Sequence, residues 1–441
     1  MATSTKTSIE LPKQPKEKEF EEYVAAFLQC AGLYIERNIV ERDIREVLEL
    51  DVIASNYDQC PPDIRLIEIK SGGWGFPEVF KIFGWLKYLD ISHGALVVKE
   101  SKETDQAQQF YNAKAKDLGI DLVVVDPSGQ AGSALDELLG HKHVDEGDLS
   151  FWRFSYWMER NLLRRLVSKK KSLPKAKRFS AMDDYIFAVN SGVFFTKGAV
   201  ERARKLYSAF QSCPRISAKC ANEEIGNDFD DDVETIDNSL FTKSFYGCEY
   251  TDIQISTYIE HRARLAILKS GIDHILYEQA GEKNKAGAKT KRLLGFDFAN
   301  APQSFLEGLG EIAQHKHFHR YPVFWQWFMW LFGGFILRDL EQQEYEHLAA
   351  RTGIPVDEIP AALSSYGILF PQADGWFRDE PHSNVRVMKM FPVPLMGIGA
   401  NLRKHLYTSE GKYSDLKVKG QYTVADLVKW NNLAVTVLAQ C

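Results

Sequence analysis

The chain has 441 residues, a formal net charge of −6, 45% hydrophobic residues and 26% charged residues. At roughly 100–200 residues per domain this length allows two to four domains, and the composition is that of a globular protein. Collagen-like, mainly disordered and multi-span membrane classes are excluded. Because the net charge is slightly negative, any binding to nucleic acid must come from local basic patches.

Cysteine usage and the first residues of the chain indicate the compartment. The six cysteines are too few for a disulfide scaffold at this length, and none of them form a C-x-x-C pair. Residues 1–16 are polar, lack the apolar stretch of a signal peptide, and predict a flexible tail. We therefore expect a reducing, cytoplasmic environment.

The first 127 residues predict a mixed sheet flanked by helices. Apolar side chains within 17–30 recur with the spacing of one helix face, and three short β-rich segments follow as an expected meander. A helix near 76–90 and another over 105–119 then alternate with two apolar strands. This βαβ order predicts an α/β domain.

Small and turn-forming residues cluster at 127–134, and most later segments have helical periodicity. The expected fold is thus an α/β N-terminal domain followed by a mostly α-helical region, the last part of which we expect to serve interaction or sensing. The predicted divisions are a tail (1–16), an α/β domain (17–127), a linker (128–150), a helical region with a basic face (151–292) and a helical C-terminal region (293–441).

Charged side chains interrupt two of the predicted strands. Asp51 lies within ELDVIA, and Glu68 and Lys70 lie within IEIK, where alternate residues share one face of the sheet. Burying such groups without partners costs several kcal/mol, so their convergence predicts either an ion-pair network or a metal site. Oxygen ligands of this kind favour Mg²⁺ or Mn²⁺.

The order of these residues matches a known pattern. A helix carries Glu21, a strand carries Asp51, and Glu68-Ile69-Lys70 stands on the next strand, with Glu68 17 residues after the aspartate. This resembles the PD-(D/E)XK nuclease superfamily, which has the restriction-endonuclease-like fold. Within 17–127, FEEYVAAFLQCAG is similar to the superfamily's opening helix, and AQQFYNAKAKDLGIDLVVVD is similar to the closing helix and strand of Mrr-like restriction enzymes.

The resemblance implies a role for each residue. Asp51, Glu68 and the backbone carbonyl of Ile69 would hold Mg²⁺ or Mn²⁺, and Glu21 would join directly or through water. Lys70 would orient or activate the attacking water, and its pKa could be shifted toward the neutral form. The chain departs from the pattern in two places: position 50 is Leu instead of Pro, and the helix after Lys70 lacks the glutamine of many Mrr-like members.

Simpler interpretations of the same residues stay open. Glu68 and Lys70 could line the solvated face of an edge strand, and Asp51 could cap a strand end. Glu22 competes with Glu21 for the helix position, since a carboxylate in the first turn is favoured by the helix dipole alone.

A basic segment, 151–178, offers a surface for phosphates. Trp152, Tyr156 and Trp157 are interleaved with its cations; these rings could stack on bases, or they could pack the helix against the first domain. The residues that we expect to contact nucleic acid are Arg160, Arg164, Arg165, Lys169, Lys170 and Lys171.

The most apolar run, Tyr321–Leu337, is about 17 residues long, the short limit for a membrane span. Gln326 and the Gly333-Gly334 pair favour a buried helix or a subunit interface over a membrane anchor, so we expect no membrane contact.

Together these features predict a magnesium-dependent nuclease that hydrolyses phosphodiester bonds, of DNA rather than RNA, in prokaryotic restriction or antiviral defence. The helical region would bind a second copy of the chain or a partner protein. The alternative is a non-catalytic nucleic-acid-binding or scaffold subunit of a multi-protein complex.

Overall fold

The computed structural model describes residues 11–42, 46–99, 104–125, 134–135, 144–172, 250–281, 303–370, 377–379, 385–388 and 393–407. Over these residues the helices are α1 (Lys18–Cys30), α2 (Pro77–Leu89), α3 (Asp105–Asp117), α4 (Glu146–Ser172), α5 (Tyr250–Ala280), α6 (Gln303–Ile312), α7 (Tyr321–Trp330), α8 (Glu341–Thr352), α9 (Ile359–Leu369) and α10 (Val393–Tyr407). The strands are β1 (Tyr34–Arg42), β2 (Glu46–Asn56), β3 (Asp63–Lys70), β4 (His93–Val98), β5 (Ile120–Val124), β6 (Phe335–Leu337), β7 (Phe377–Asp379) and β8 (Val385–Met388).

The N-terminal part is a five-stranded mixed sheet in which spatial order follows chain order, β1-β2-β3-β4-β5. The first three strands are antiparallel neighbours, as a meander requires, and β3, β4 and β5 are parallel because helices α2 and α3 carry the chain back between them. The predicted mixed sheet flanked by helices is confirmed, and so is the helical character of the later part. A smaller antiparallel sheet, β6-β8-β7, lies among the later helices.

Local sequence signals account for the helix starts around the sheet. Helix α2 begins at Pro77, whose fixed φ suits the first helical position, and α3 is capped by Thr104, whose Oγ1 accepts a hydrogen bond from the N–H of Ala107 (3.3 Å). Helix α1 buries Phe20, Val24, Phe27 and Leu28 on the predicted face. These starts fix the helices that flank the candidate site.

The apolar run 321–337 folds as a short helix followed by a short strand. Every residue of α7 is buried, and Gly333 and Gly334, both with positive φ, turn the chain into β6. This confirms the prediction of a buried segment. Among the described residues, no helix has both the length and the apolar character that a membrane crossing needs.

A buried glutamine pair joins the sheet to the later helices. Gln326 Oε1 accepts hydrogen bonds from Gln29 Nε2 (2.8 Å) and from the N–H of Ile35 (3.1 Å), and Gln326 Nε2 donates to the Ile35 carbonyl (2.7 Å). Ile35 lies on β1, the edge strand, so Gln326 pairs backbone groups that the ladder leaves open. The amide oxygen of Gln29 is also paired, because the Tyr156 hydroxyl donates a hydrogen bond to Oε1 (3.1 Å).

Charged groups are also buried between β1 and α5. Lys269 pairs with Asp273 (2.5 Å) and approaches Glu36 (3.8 Å), while the Tyr57 hydroxyl donates to Asp273 (2.6 Å). Because all four side chains are buried, each charge depends on the others for compensation. The polar contacts therefore fix one docking position of α5 on the sheet.

Only some of the predicted domain divisions fall within the described residues. The described N-terminal and later residues share one continuous hydrophobic core, and α4 packs against α1. Within the expected tail, the Pro12 carbonyl accepts a hydrogen bond from Arg153 (2.8 Å). Residues 1–10, most of the predicted linker and the boundary at 292/293 lie outside the described residues.

We predict that Gln326→Met lowers the free energy of unfolding by about 2–4 kcal/mol, because Ile35 then keeps a buried N–H and carbonyl without partners. Urea denaturation measures the change. Gln342→Met, at an exposed glutamine of α8, is the matched control and should stay within about 0.5 kcal/mol of wild type. Equal stability of the two variants would contradict the role given to the amide pair.

A second prediction concerns pH. Burial raises the pKa of Glu36 to about 7, although Lys269 opposes the shift. The folded state therefore holds this proton more tightly than the unfolded chain, so the stabilisation is present below about pH 4.5 and is lost as the pH rises through about 7.

Glu36→Gln should remove about 2–3 kcal/mol of this pH dependence between pH 4.5 and 7.5, as followed by thermal unfolding at several pH values. The control is Glu311→Gln, at an exposed residue of α6. A profile for Glu36→Gln that is parallel to that of wild type would show that Glu36 does not titrate in this window.

Candidate active site

The sheet brings Asp51 and Glu68 side by side. Strands β2 and β3 pair antiparallel with Val52 opposite Ile67, so the preceding residue of β2 and the following residue of β3 are neighbours on one face. Asp51 Oδ2 accepts a hydrogen bond from the N–H of Ile69 (2.9 Å). The structure thus joins three of the predicted residues at the carboxyl end of β3.

Glu68 is the most enclosed charge of this group, with 2% of its side chain exposed. Its Oε1 forms ion pairs with Lys70 Nζ (2.7 Å) and with Lys81 Nζ of α2 (2.9 Å). Its Oε2 is buried and makes no hydrogen bond within the described part of the chain. Because β3 is a central strand, the interpretation of Glu68 as part of a solvated edge strand is wrong.

The carboxylates near Asp51 repel one another. Burial raises the pKa of Asp51 to about 7, and the negative charges of Glu68 and Glu21 add to this; the Ile69 hydrogen bond and Lys18 act in the opposite direction. The charge of Glu21 thus acts on Asp51, and Glu21 pairs with Lys18 (2.9 Å). A cation placed among these carboxylates would relieve the repulsion.

Glu21 and Glu22 of α1 pair with different residues. Glu22 is buried and forms an ion pair with Arg160 of α4 (2.8 Å), away from Asp51. Of the two alternatives, Glu21 is the one whose charge reaches the site. Helical geometry explains the difference, because successive residues project about 100° apart.

Lys70 does not become neutral in this structure. Burial lowers its pKa, but the hydrogen bond and charge of Glu68, with Asp51 behind it, outweigh burial and leave the pKa raised. The shift toward the neutral form stays a prediction for a lysine held near a bound metal ion. Lys70 is a protonated donor here, which suits it to orient water or phosphate oxygens.

The sequence did not predict that Lys81 would lie at the candidate site. It stands 11 residues after Lys70, in the second turn of α2, and it also lies over the Trp85 ring (4.3 Å from Nζ to the centroid). From the sequence, Lys81 can be recognised only as one lysine of an amphipathic helix. That helix follows the strand that carries Glu68 and Lys70. Its approach to Glu68 depends on how α2 docks, which no local pattern reveals.

The donor atoms suit a hard cation, although they are held by lysines in this structure. Within the described residues, no three His, Cys, Asp or Glu side chains are arranged as a metal-binding group. The carboxylates pair with lysines instead: Glu21 pairs with Lys18, and Glu68 pairs with Lys70 and Lys81. The buried, unpartnered Oε2 of Glu68 and the repulsion at Asp51 fit a cation that these groups would share.

The predicted basic face is described only at its start. Arg160 pairs with Glu22 and approaches Glu19 (3.7 Å), so its charge is used within the fold. Trp152 and Tyr156 are buried, as the packing interpretation of these rings requires. The remaining predicted contacts lie in the part of α4 whose side chains are outside the described residues: Arg164, Arg165, Lys169, Lys170 and Lys171.

No family model, no curated protein and no solved structure matches the chain.

We predict that Asp51→Asn raises the free energy of unfolding by about 1–2 kcal/mol at pH 8 in EDTA. The amide keeps an oxygen for the Ile69 N–H and removes one of the mutually repelling charges; the estimate is discounted for the partial exposure of the side chain. Chemical denaturation provides the measurement. Glu49→Gln, exposed on the same strand, is the control, and a destabilised Asp51→Asn would contradict the repulsion.

Proposed function

We propose that this chain is a magnesium-dependent endonuclease of the PD-(D/E)XK type that hydrolyses phosphodiester bonds, of DNA rather than RNA. One observation carries the proposal. Asp51, Glu68 and Lys70 meet on neighbouring strands, and the buried Oε2 of Glu68 has no hydrogen-bond partner in the described part of the chain. Most buried polar atoms are paired, so an unpartnered carboxylate oxygen beside Asp51 and Lys70 supports a site that takes a ligand.

Asp51, Glu68, the Ile69 carbonyl and Glu21 are the groups that would hold Mg²⁺ or Mn²⁺. When bound, such an ion polarises the scissile phosphate, lowers the pKa of a bound water and offsets negative charge on the phosphoryl oxygens.

The protein's own groups then have separate tasks. The N–H of Ile69 holds Asp51 Oδ2 in place, and the other carboxylate oxygen, Oδ1, would serve as the metal ligand. Protonated Lys70 donates hydrogen bonds from Nζ and so orients the attacking water or a phosphate oxygen. Lys81, which shares Oε1 of Glu68 with Lys70, supplies a second ammonium for the phosphate.

The alternative is a non-catalytic nucleic-acid-binding or scaffold subunit. It is favoured by a specific contact: two lysines already pair with Glu68, so the charge of Glu68 is compensated without a metal ion. For the catalytic case we propose restriction or antiviral defence as the setting, with the helical region binding a second copy or a partner protein.

The test is cleavage of plasmid, linear duplex, single-stranded DNA and RNA by the purified full chain, with Mg²⁺, Mn²⁺ or EDTA. We expect metal-dependent cutting that Asp51→Ala abolishes and that Lys70→Ala slows by about 10²–10⁴-fold, with both variants folded. Lys316→Ala, at an exposed lysine of the helical region, is the matched control and should cut like wild type. Unchanged cutting by Lys70→Ala would refute the mechanism, and binding without any cutting would favour the alternative.

A further inference from the structure

Exposed aromatic rings stand beside the candidate site. In the described part of the chain, the exposed large hydrophobic side chains are Phe80 (59%), Tyr88 (53%) and Phe110 (59%). All three are aromatic, and they lie on α2 and α3, the helices that follow the strand of Glu68 and Lys70. Scattered single hydrophobics need no explanation, but a connected group does.

Two of the three belong to a connected set of rings. Phe76 stacks on Tyr111 with centroids 5.2 Å apart, and it also meets Phe80 edge-on at 5.4 Å. Tyr111 in turn contacts Trp74 (6.2 Å) and Phe110 (6.0 Å). We call Trp74, Phe76, Phe80, Phe110 and Tyr111 the aromatic platform.

The residues of the platform directly follow the residues of the candidate site in the sequence. Lys70 ends β3, and the loop 71–76 that leads into α2 carries Trp74 and Phe76. Phe80 is followed by Lys81, whose Nζ is 2.9 Å from Glu68. A Cβ built on Gly72 or on Gly73 meets no atom within 4 Å, so the loop between Lys70 and the platform has open space beside it.

Cations beside the rings favour nucleotides over a protein surface as the occupant of the platform. Its exposed members, Phe80 and Phe110, are both aromatic, so each offers a flat face on which a base can stack. Lysines stand next to the rings: Lys114 Nζ is 6.0 Å from the Phe110 centroid, and Lys81 adjoins Phe80. Rings for bases together with ammonium groups for phosphates are the combination by which proteins bind single strands.

We propose that the aromatic platform stacks unpaired bases, and that the substrate of the neighbouring site is therefore single-stranded or locally unpaired nucleic acid. The assignment of a substrate rests on the proposed nuclease function, but the binding of unpaired bases does not. Duplex DNA keeps its bases inside the stack, so it cannot offer their faces to Phe80 and Phe110.

The experiment measures binding in EDTA, where metal-dependent cutting is absent. A single-stranded oligonucleotide containing 2-aminopurine reports stacking through its fluorescence, and the same oligonucleotide in a duplex is the comparison. We expect tighter binding and fluorescence quenching with the single strand. Phe80→Ala and Phe110→Ala should each weaken binding by about 5- to 100-fold and reduce the quenching, and Phe80→Trp should restore both.

Tyr88→Ala is the matched control, because Tyr88 is similarly exposed on the same helix but lies about 12 Å along it from Phe80. It should bind within about twofold of wild type. The proposal is overturned if Phe80→Ala and Phe110→Ala bind the single strand like wild type. It is also overturned if wild type binds the duplex equally well without quenching, or if light scattering shows that these two variants lose self-association instead.

The two proposals fail separately. Ring-dependent binding of single strands without cutting under any metal condition would retain the platform and refute the nuclease. Metal-dependent cutting that the ring variants leave unchanged would retain the nuclease and refute the platform.

Discussion

A pair of buried amides, Gln29 and Gln326, closes the first edge of the sheet and joins two distant parts of the chain. An edge strand presents N–H and C=O groups that must find partners once they are buried. For Ile35 on β1 those partners come from a single side chain inside an otherwise apolar helix. The sheet that carries the candidate site is therefore held in place by the helical region, and the two form one core.

The candidate site lies on the next two strands of the same sheet, β2 and β3. Glu68 is buried and Asp51 is partly buried on the adjacent strand, where burial and the charge of Glu68 raise the pKa of Asp51. Lysines pair with Glu68 in the structure, from the same strand and from α2. The arrangement combines a rigid backbone with charges whose balance a bound ligand can change, which is a common property of binding and catalytic sites.

The sequence predicted those features that depend on local pattern and on strand alternation. The meander, the two βα units and the meeting of Asp51 with Glu68 follow from period-2 alternation and antiparallel pairing. It could not predict the partners that come from docking between helices. Lys81 reaches Glu68, and Arg160 turns to Glu22 instead of solvent, only because α2 and α4 pack at particular positions. The raised pKa of Lys70 has the same origin, because the hydrogen bond and charge of Glu68, with the charges of Asp51 and Glu78, together outweigh burial.

The glutamine pair also has a consequence for synthesis of the protein. Ile35 and Gln326 are 291 residues apart in the chain. At about 5–20 residues per second, a ribosome takes about 15–60 s to make the intervening segment. During that interval β1 has been made but its final partner has not, so the growing chain carries an open strand edge. We therefore expect the chain to depend most on chaperones while the segment between Ile35 and Gln326 is being translated.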